Sequence, residues 1–87
     1  LTSVDELLEG TLDVFPVPAM NDLQLVWTGP TVDNAFVVLR DATGRNVLKV
    51  QVTQRDILDV SALSSGTYML EFTIPERGSI QRHIVIR

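Results

Sequence analysis

The stretch that decides the fold is Leu58 to Phe72, LDVSALSSGTYMLEF. It reads as a strand, a corner and a second strand. Leu58, Val60 and Leu63 supply apolar side chains before the corner, and Gly66 is placed to turn it. Beyond it, Tyr68, Leu70 and Phe72 alternate with Thr67, Met69, Glu71 and Thr73. Period-two alternation sends the two sets of side chains to opposite faces of a strand. The spacing of Leu63, Gly66 and Tyr68 suits a tyrosine corner. There, a Tyr at the start of a strand in a Greek-key sandwich returns its hydroxyl to upstream backbone.

Working outward, the same alternation recurs on both sides. Upstream, a strand runs from about Leu12 to Val17 and stops at Pro16 and Pro18, since proline donates nothing to a ladder. Asn21-Asp22 turns the chain, and Leu23, Leu25 and Trp27 then alternate with Gln24, Val26 and Thr28 until Gly29-Pro30 breaks the strand. Ala35 to Arg40 is apolar on both phases, Val37 and Leu39 on one and Phe36 and Val38 on the other. Either it is a central strand covered on both sides, or one face is an exposed apolar patch. Asp41-Ala42-Thr43-Gly44 is a hairpin turn, with Gly44 at the left-handed position. Leu48, Val50 and Val52 alternate with Val47, Lys49, Gln51 and Thr53, and Asp56 to Val60 leads into the corner. Downstream, Pro75 to Gly78 makes the last hairpin. Ile80, Arg82, Ile84 and Ile86 then alternate with Gln81, His83, Val85 and Arg87. Seven short strands joined by Gly, Pro and Asn/Asp turns predict an all-β fold, an immunoglobulin-like antiparallel β-sandwich with Greek-key connections.

Ser3 to Gly10 is the one helix-like piece, with Ser3 and Glu6 in a capping-box spacing. Residues 1–11 therefore read as a short helical turn or linker, and residues 12–87 as the domain. Because the chain begins with Leu1 and not Met, it is expected to come from a longer parent. Eighty-seven residues fit one domain, and 45% hydrophobic residues are enough for one core. With no Cys there is neither a disulfide nor a thiolate metal site, so stability must come from packing.

The chemistry expected of an enzyme is missing from the pattern. Net charge is −4, and the basic residues are scattered singly, which argues against nucleic-acid binding. No apolar run approaches the roughly 20 residues of a membrane-spanning helix. His83 is the lone histidine and lies on a terminal strand without a nucleophile elbow, so it reads as a surface or half-buried structural residue. Asp33, Asp41, Asp56 and Asp59 fall at turns, where Asp bonds local backbone. No calcium loop or phosphate loop is present, and no cofactor is expected. Trp27 and Tyr68 sit on buried phases, which leaves Phe36 as the one aromatic candidate for carbohydrate contact.

Four short motifs, in order, resemble the C-terminal sorting domain of the type IX secretion system of Bacteroidetes. Val14-Phe15-Pro16-Val17-Pro18-Ala19 is similar to that family's opening aromatic-Pro-x-Pro-Ala. Val37 to Val47, VVLRDATGRNV, resembles its strand, Asp turn, Gly-Arg and apolar restart. Leu58 to Leu70 is similar to its block in which Leu-Asp-Val-Ser and Leu precede Gly-x-Tyr, and Gln81 to Arg87 resembles its terminal strand. The chain departs from the family at Val17, where Asn is usual, at Arg40, where an aromatic is common, and at His83, where Lys is frequent.

The resemblance implies a signal and not a catalyst. A parent protein would cross the periplasm, be recognised by the outer-membrane export machinery and reach the cell surface or the medium. A cell-surface sortase would remove the domain ahead of its first strand, within about residues 1–11, or the domain would be retained. The signal residues it implies are Pro16, Pro18, Ala19, Asp41, Gly44, Arg45, Gly66, Tyr68, Ile84, Val85, Ile86 and Arg87. Backbone groups of Ile84 to Arg87 are expected to be open for pairing with a partner, and the face of Phe36 and Val38 to offer a second contact. Edge strands could also pair two copies into a homodimer. The competing reading is a fibronectin-like or immunoglobulin-like accessory module for adhesion or carbohydrate contact.

Overall fold

The computed structural model describes residues 10–30 and 34–87. The expected helical turn before Gly10, and Asp33, lie outside these residues. Seven strands follow in order: β1 (Thr11–Phe15), β2 (Asp22–Thr28), β3 (Phe36–Arg40), β4 (Asn46–Gln51), β5 (Arg55–Asp59), β6 (Gly66–Ile74) and β7 (Gly78–Ile86). They form two sheets, β1-β2-β5 and β4-β3-β6-β7, and every strand pair is antiparallel. The expected sandwich is therefore the observed fold.

The alternating phases meet between the sheets. Leu12, Leu23, Leu25, Trp27 and Leu58 come from the three-stranded sheet. Val37, Leu39, Leu70, Phe72, Ile80, Ile84 and Ile86 come from the four-stranded one. Trp27 and Phe72 stack across the gap with ring centroids 5.5 Å apart. The indole is held at its polar end as well, where Nε1 donates to the Pro30 carbonyl at 3.0 Å. Gly10 and Gly29 flank this ring so closely that a Cβ on either would fall 2.5 Å or 2.8 Å from it. Gly29 thus does more than break β2: it leaves the space the indole fills.

β3 settles the alternative its sequence left open. It is central, between β4 and β6, and Val37 and Leu39 face the core. On its outward face Val38 is only 5% exposed, although no second layer among the described residues covers it. Its cross-strand neighbours Lys49 and Glu71 do so. Lys49 reaches diagonally to place Nζ 5.0 Å from the Phe36 ring centre, and Arg40 pairs with Glu71 at 3.3 Å. Long polar side chains shield apolar surface with their stems while their charges stay wet. The expected second contact at Phe36 and Val38 is therefore not an open apolar patch.

At the far end of the β3–β4 hairpin the register shifts between Leu39 and Arg40. This bulge lets consecutive residues Val47 and Leu48 both pack against the core. The Asp41 turn follows the sequence expectation: Gly44 donates to the Asp41 carbonyl at 2.9 Å, and its φ of 89° is one that glycine adopts readily. In the last hairpin Arg77 donates to Ile74 and Glu76 takes a φ of 68°.

The corner itself differs in one respect. The chain turns over residues 60–65, and Gly66 is already the first residue of β6, paired with Ile86. The tyrosine corner is formed: the Tyr68 hydroxyl donates to the Ser64 carbonyl at 2.6 Å, and Tyr68 is 6% exposed. Two substitutions separate the corner from the core. Tyr68→Phe should cost about 1 kcal/mol, the net value of one hydrogen bond. Phe72→Ala should cost about 3–5 kcal/mol by loss of transfer energy and creation of a cavity. Urea unfolding of the two variants against the parent checks both values.

Candidate functional site

The strand directions sort the loops onto two ends of the sandwich. β6 begins with Gly66 opposite Ile86, so the corner and the end of β7 lie together. β3 ends with Arg40 opposite Met69, which puts the Asp41 turn at the same end. β2 starts with Asp22 opposite Asp59, and β1 ends with Phe15 opposite Gln24. The loop from Phe15 to Asp22 therefore joins them. All four motifs that carry the family resemblance meet at this one end.

The junctions are specific. After Phe15 the chain leaves the three-stranded sheet and crosses to the edge of the four-stranded one, with cis bonds before Pro16 and Pro18. Ala19 forms an isolated parallel bridge with Ile86. Its N–H donates to the Val85 carbonyl and its carbonyl accepts from the Arg87 N–H, both at 2.8 Å. Ala19 and Ile86 are both buried in the core. Two residues on, the Asn21 carbonyl accepts from the Val60 N–H at 2.8 Å, which ties the same segment to the corner. The expectation that Ile84 to Arg87 offers open backbone is thus corrected at Val85 and Arg87, whose outward groups are occupied by Ala19.

The Asp41 turn is organised by one carboxylate oxygen. Asp41 Oδ1 accepts from the Thr43 hydroxyl at 2.6 Å, the Thr43 N–H at 3.0 Å and the Arg45 N–H at 3.1 Å. Oδ2 lies 3.3 Å from Arg45 Nε. The Thr43 hydroxyl is the main cause of a carboxyl pKa held below its usual value of 3.8. Asp59 opens the corner in the same way, accepting from the Ser61 hydroxyl at 2.6 Å and the Ser61 N–H at 3.0 Å. Its pKa is also lowered, chiefly by that hydroxyl. Asp56 bonds the Thr53 and Ile57 amides. These three aspartates do what turn aspartates do.

Between the Asp41 turn and the tyrosine corner lies a cleft of about 390 Å³, lined by Asp41, Thr43, Arg45, Leu63, Ser65 and Tyr68 among others. Its strongest polar groups are already committed, Asp41 to its own turn and the Tyr68 hydroxyl to Ser64. Among the described residues no group of three or more His, Cys, Asp or Glu is placed to hold a metal ion. His83 is exposed on the outer face of β7, opposite Met69.

Two features of the site carry no strong local signal in the sequence. Ala19 belongs to a motif, but nothing in the local pattern signals a bridge to a residue 67 positions on. Phe15 is the second. It is 42% exposed, and with Ile57 at 61% it flanks Gln24 on the outer face of the three-stranded sheet. Its phase, opposite to Leu12 and Val14, is the signal that would have found it. Met20, at 69%, is the most exposed large apolar residue described.

Two comparisons bear on this arrangement. A family model described as the secretion system C-terminal sorting domain matches residues 13–87. A search of curated proteins returns no match.

The carboxylates of the site give a pH signature. Both are held below 3.8 in the folded chain, so folding favours their ionised forms. That contribution is complete above pH about 5 and disappears as pH falls through the folded values. The double variant Asp41→Asn and Asp59→Asn should melt below the parent at neutral pH, and the gap should close on acidification. Melting curves by circular dichroism from neutral pH to below pH about 3 test it. A constant gap would show that the charge on these groups contributes nothing.

Proposed function

Since the chain belongs to the family of secretion-system C-terminal sorting domains, we propose that the end of the sandwich carrying its four motifs is the surface the type IX export machinery reads. Membership gives a C-terminal sorting signal for export to the cell surface or the medium. The observation that supports the finer reading is convergence. Residues spread from Pro16 to Arg87 meet at one end through backbone and side-chain bonds. The opposite end, with Gly29-Pro30 and the Pro75–Gly78 hairpin, carries none of them.

In this reading the domain is non-catalytic. It travels folded through the periplasm on its parent and is recognised at the outer membrane. A sortase then removes it ahead of β1, or it stays attached. No described helix is long and apolar enough to cross a membrane. Any pairing of isolated domains would use β1, β4 or β5, the edges without a strap such as Ala19. The accessory-module reading would need a row of exposed aromatics for carbohydrate. Trp27, Tyr68 and Phe72 are buried and Phe36 lies beneath Lys49, so Phe15 stands alone as an exposed aromatic and no row forms.

The test is a transplant. Residues 1–87 are fused to the C-terminus of a folded periplasmic reporter in a host with a type IX system, with an export-deficient strain as control. Surface reporter that vanishes in the control is the expected result, and its mass reports removal or retention. Deleting residues 83–87 should abolish delivery. Reporter trapped in the periplasm on a folded domain would favour the accessory module.

A further inference from the structure

The end of β7 is paired on both sides. On one side Gly66 and Thr67 of β6 lie opposite Ile86 and Val85. On the other, Ala19 takes the Val85 carbonyl and the Arg87 N–H. Strand addition needs a row of unpaired N–H and C=O groups. Along the remaining edge of β7, the Gln81 carbonyl accepts from the Arg82 guanidinium at 3.0 Å. Arg82 itself stands on the inward phase, opposite Leu70, a charged position that discourages edge pairing. A partner therefore meets this tail by its side chains. The Ala19 side chain shares the core face with Ile86, so alternation puts Met20 on the outward face with Val85 and Arg87. Met20 and Val85 are exposed apolar residues, and Arg87 meets no carboxylate among the described residues.

We infer that Pro18, Ala19 and Met20 form a strap that closes the edge of Val85 to Arg87. The sorting partner then reads the outward side chains of the strapped tail, Met20, Val85 and Arg87, as one surface built from two distant segments. The matching surface on that partner is apolar with a carboxylate for Arg87. This inference rests on the sorting reading above, and it makes the Pro-x-Pro-Ala segment and the chain end interdependent. Neither presents the surface without the other. The strap is fixed, not a lid, because Ala19 is fully buried and Asn21 is anchored to Val60.

The test separates fold, strap and recognition on the full reporter fusion. Met20→Glu and Val85→Glu alter exposed side chains and should leave the melting temperature and the protection of the Arg87 amide unchanged. Each should lower surface reporter about tenfold, the loss of one contact worth about 1.4 kcal/mol. Ala19→Pro deletes the N–H that bonds Val85 and should expose the Arg87 amide to hydrogen exchange with loss of delivery. Should that buried substitution unfold the domain, Arg87→Pro deletes the opposing N–H at an exposed position, and Arg87→Ala keeps it. Faster exchange at the Ala19 amide, and a further loss of delivery beyond Arg87→Ala, are expected from the proline alone. Full delivery by a proline variant with an unprotected strap would overturn the inference, since the tail would then be read as released strand. Full delivery by both glutamate variants would overturn it as well. If the parent fusion itself is not delivered, the sorting reading fails, while the exchange measurements still decide whether the strap holds the tail.

Discussion

The hydroxyl of Tyr68, 2.6 Å from the Ser64 carbonyl, fixes the one connection by which the chain crosses from the end of β5 to the start of β6. A short turn that changes sheets has no ladder to satisfy its backbone. Its carbonyls must find other donors or remain in water. Tyr68 supplies a donor from inside the core while its ring packs there, so one side chain both fills space and satisfies the turn. The position of Gly66 opposite Ile86 follows from that crossing, and with it the location of the chain end. The Asn21–Val60 bond then fastens the Phe15–Asp22 loop to the same corner.

How much of this was legible follows from the range of each interaction. Strands declare themselves locally, because Leu23, Leu25 and Trp27 or Tyr68, Leu70 and Phe72 differ from their neighbours in hydropathy with period two. Turns declare themselves because Asp41 and Asp59 bond groups two to four residues away, and Gly44 needs a left-handed φ. The corner was legible for the same reason, as Tyr68 and Ser64 are four apart. Val38 was not. Its burial depends on Lys49 and Glu71, strand neighbours that no local window contains. Ala19 was not legible either. Small and flanked by Pro18, it looks like the tail of a broken strand, and only the assembled sheet edge shows what its N–H and carbonyl meet.

The two outer faces of the sandwich are finished differently. The four-stranded sheet tiles its outer face with polar contacts that cross strands. Arg40 reaches Glu71, Gln81 donates to the other oxygen of Glu71 at 3.2 Å, and Lys49 covers Phe36. Such exposed pairs add little stability. Their effect is to hide Val38 and to keep the middle of that face, around Val38 and Glu71, polar. The three-stranded sheet leaves Phe15 and Ile57 open beside Gln24. Most of the exposed large apolar residues, Phe15, Val17, Met20 and Val85, lie in or beside the loop that ends at Asp22. Exposed apolar side chains gathered at one place mark contact surfaces more often than isolated ones do.

A sheet with an edge strand at its chain end faces a conflict. The edge invites pairing with any extended chain, yet a recognition signal must be met by one partner. In this domain the sequence answers the conflict in two ways along one strand. At the middle of β7, Arg82 breaks the apolar phase of Ile80, Ile84 and Ile86 and bonds a carbonyl on its own edge. At the end, Ala19 takes two more edge groups, the Val85 carbonyl and the Arg87 N–H. The unbroken row of backbone groups that strand addition needs is thereby interrupted, and the chemistry of the side chains facing out is left to distinguish this tail from other strands.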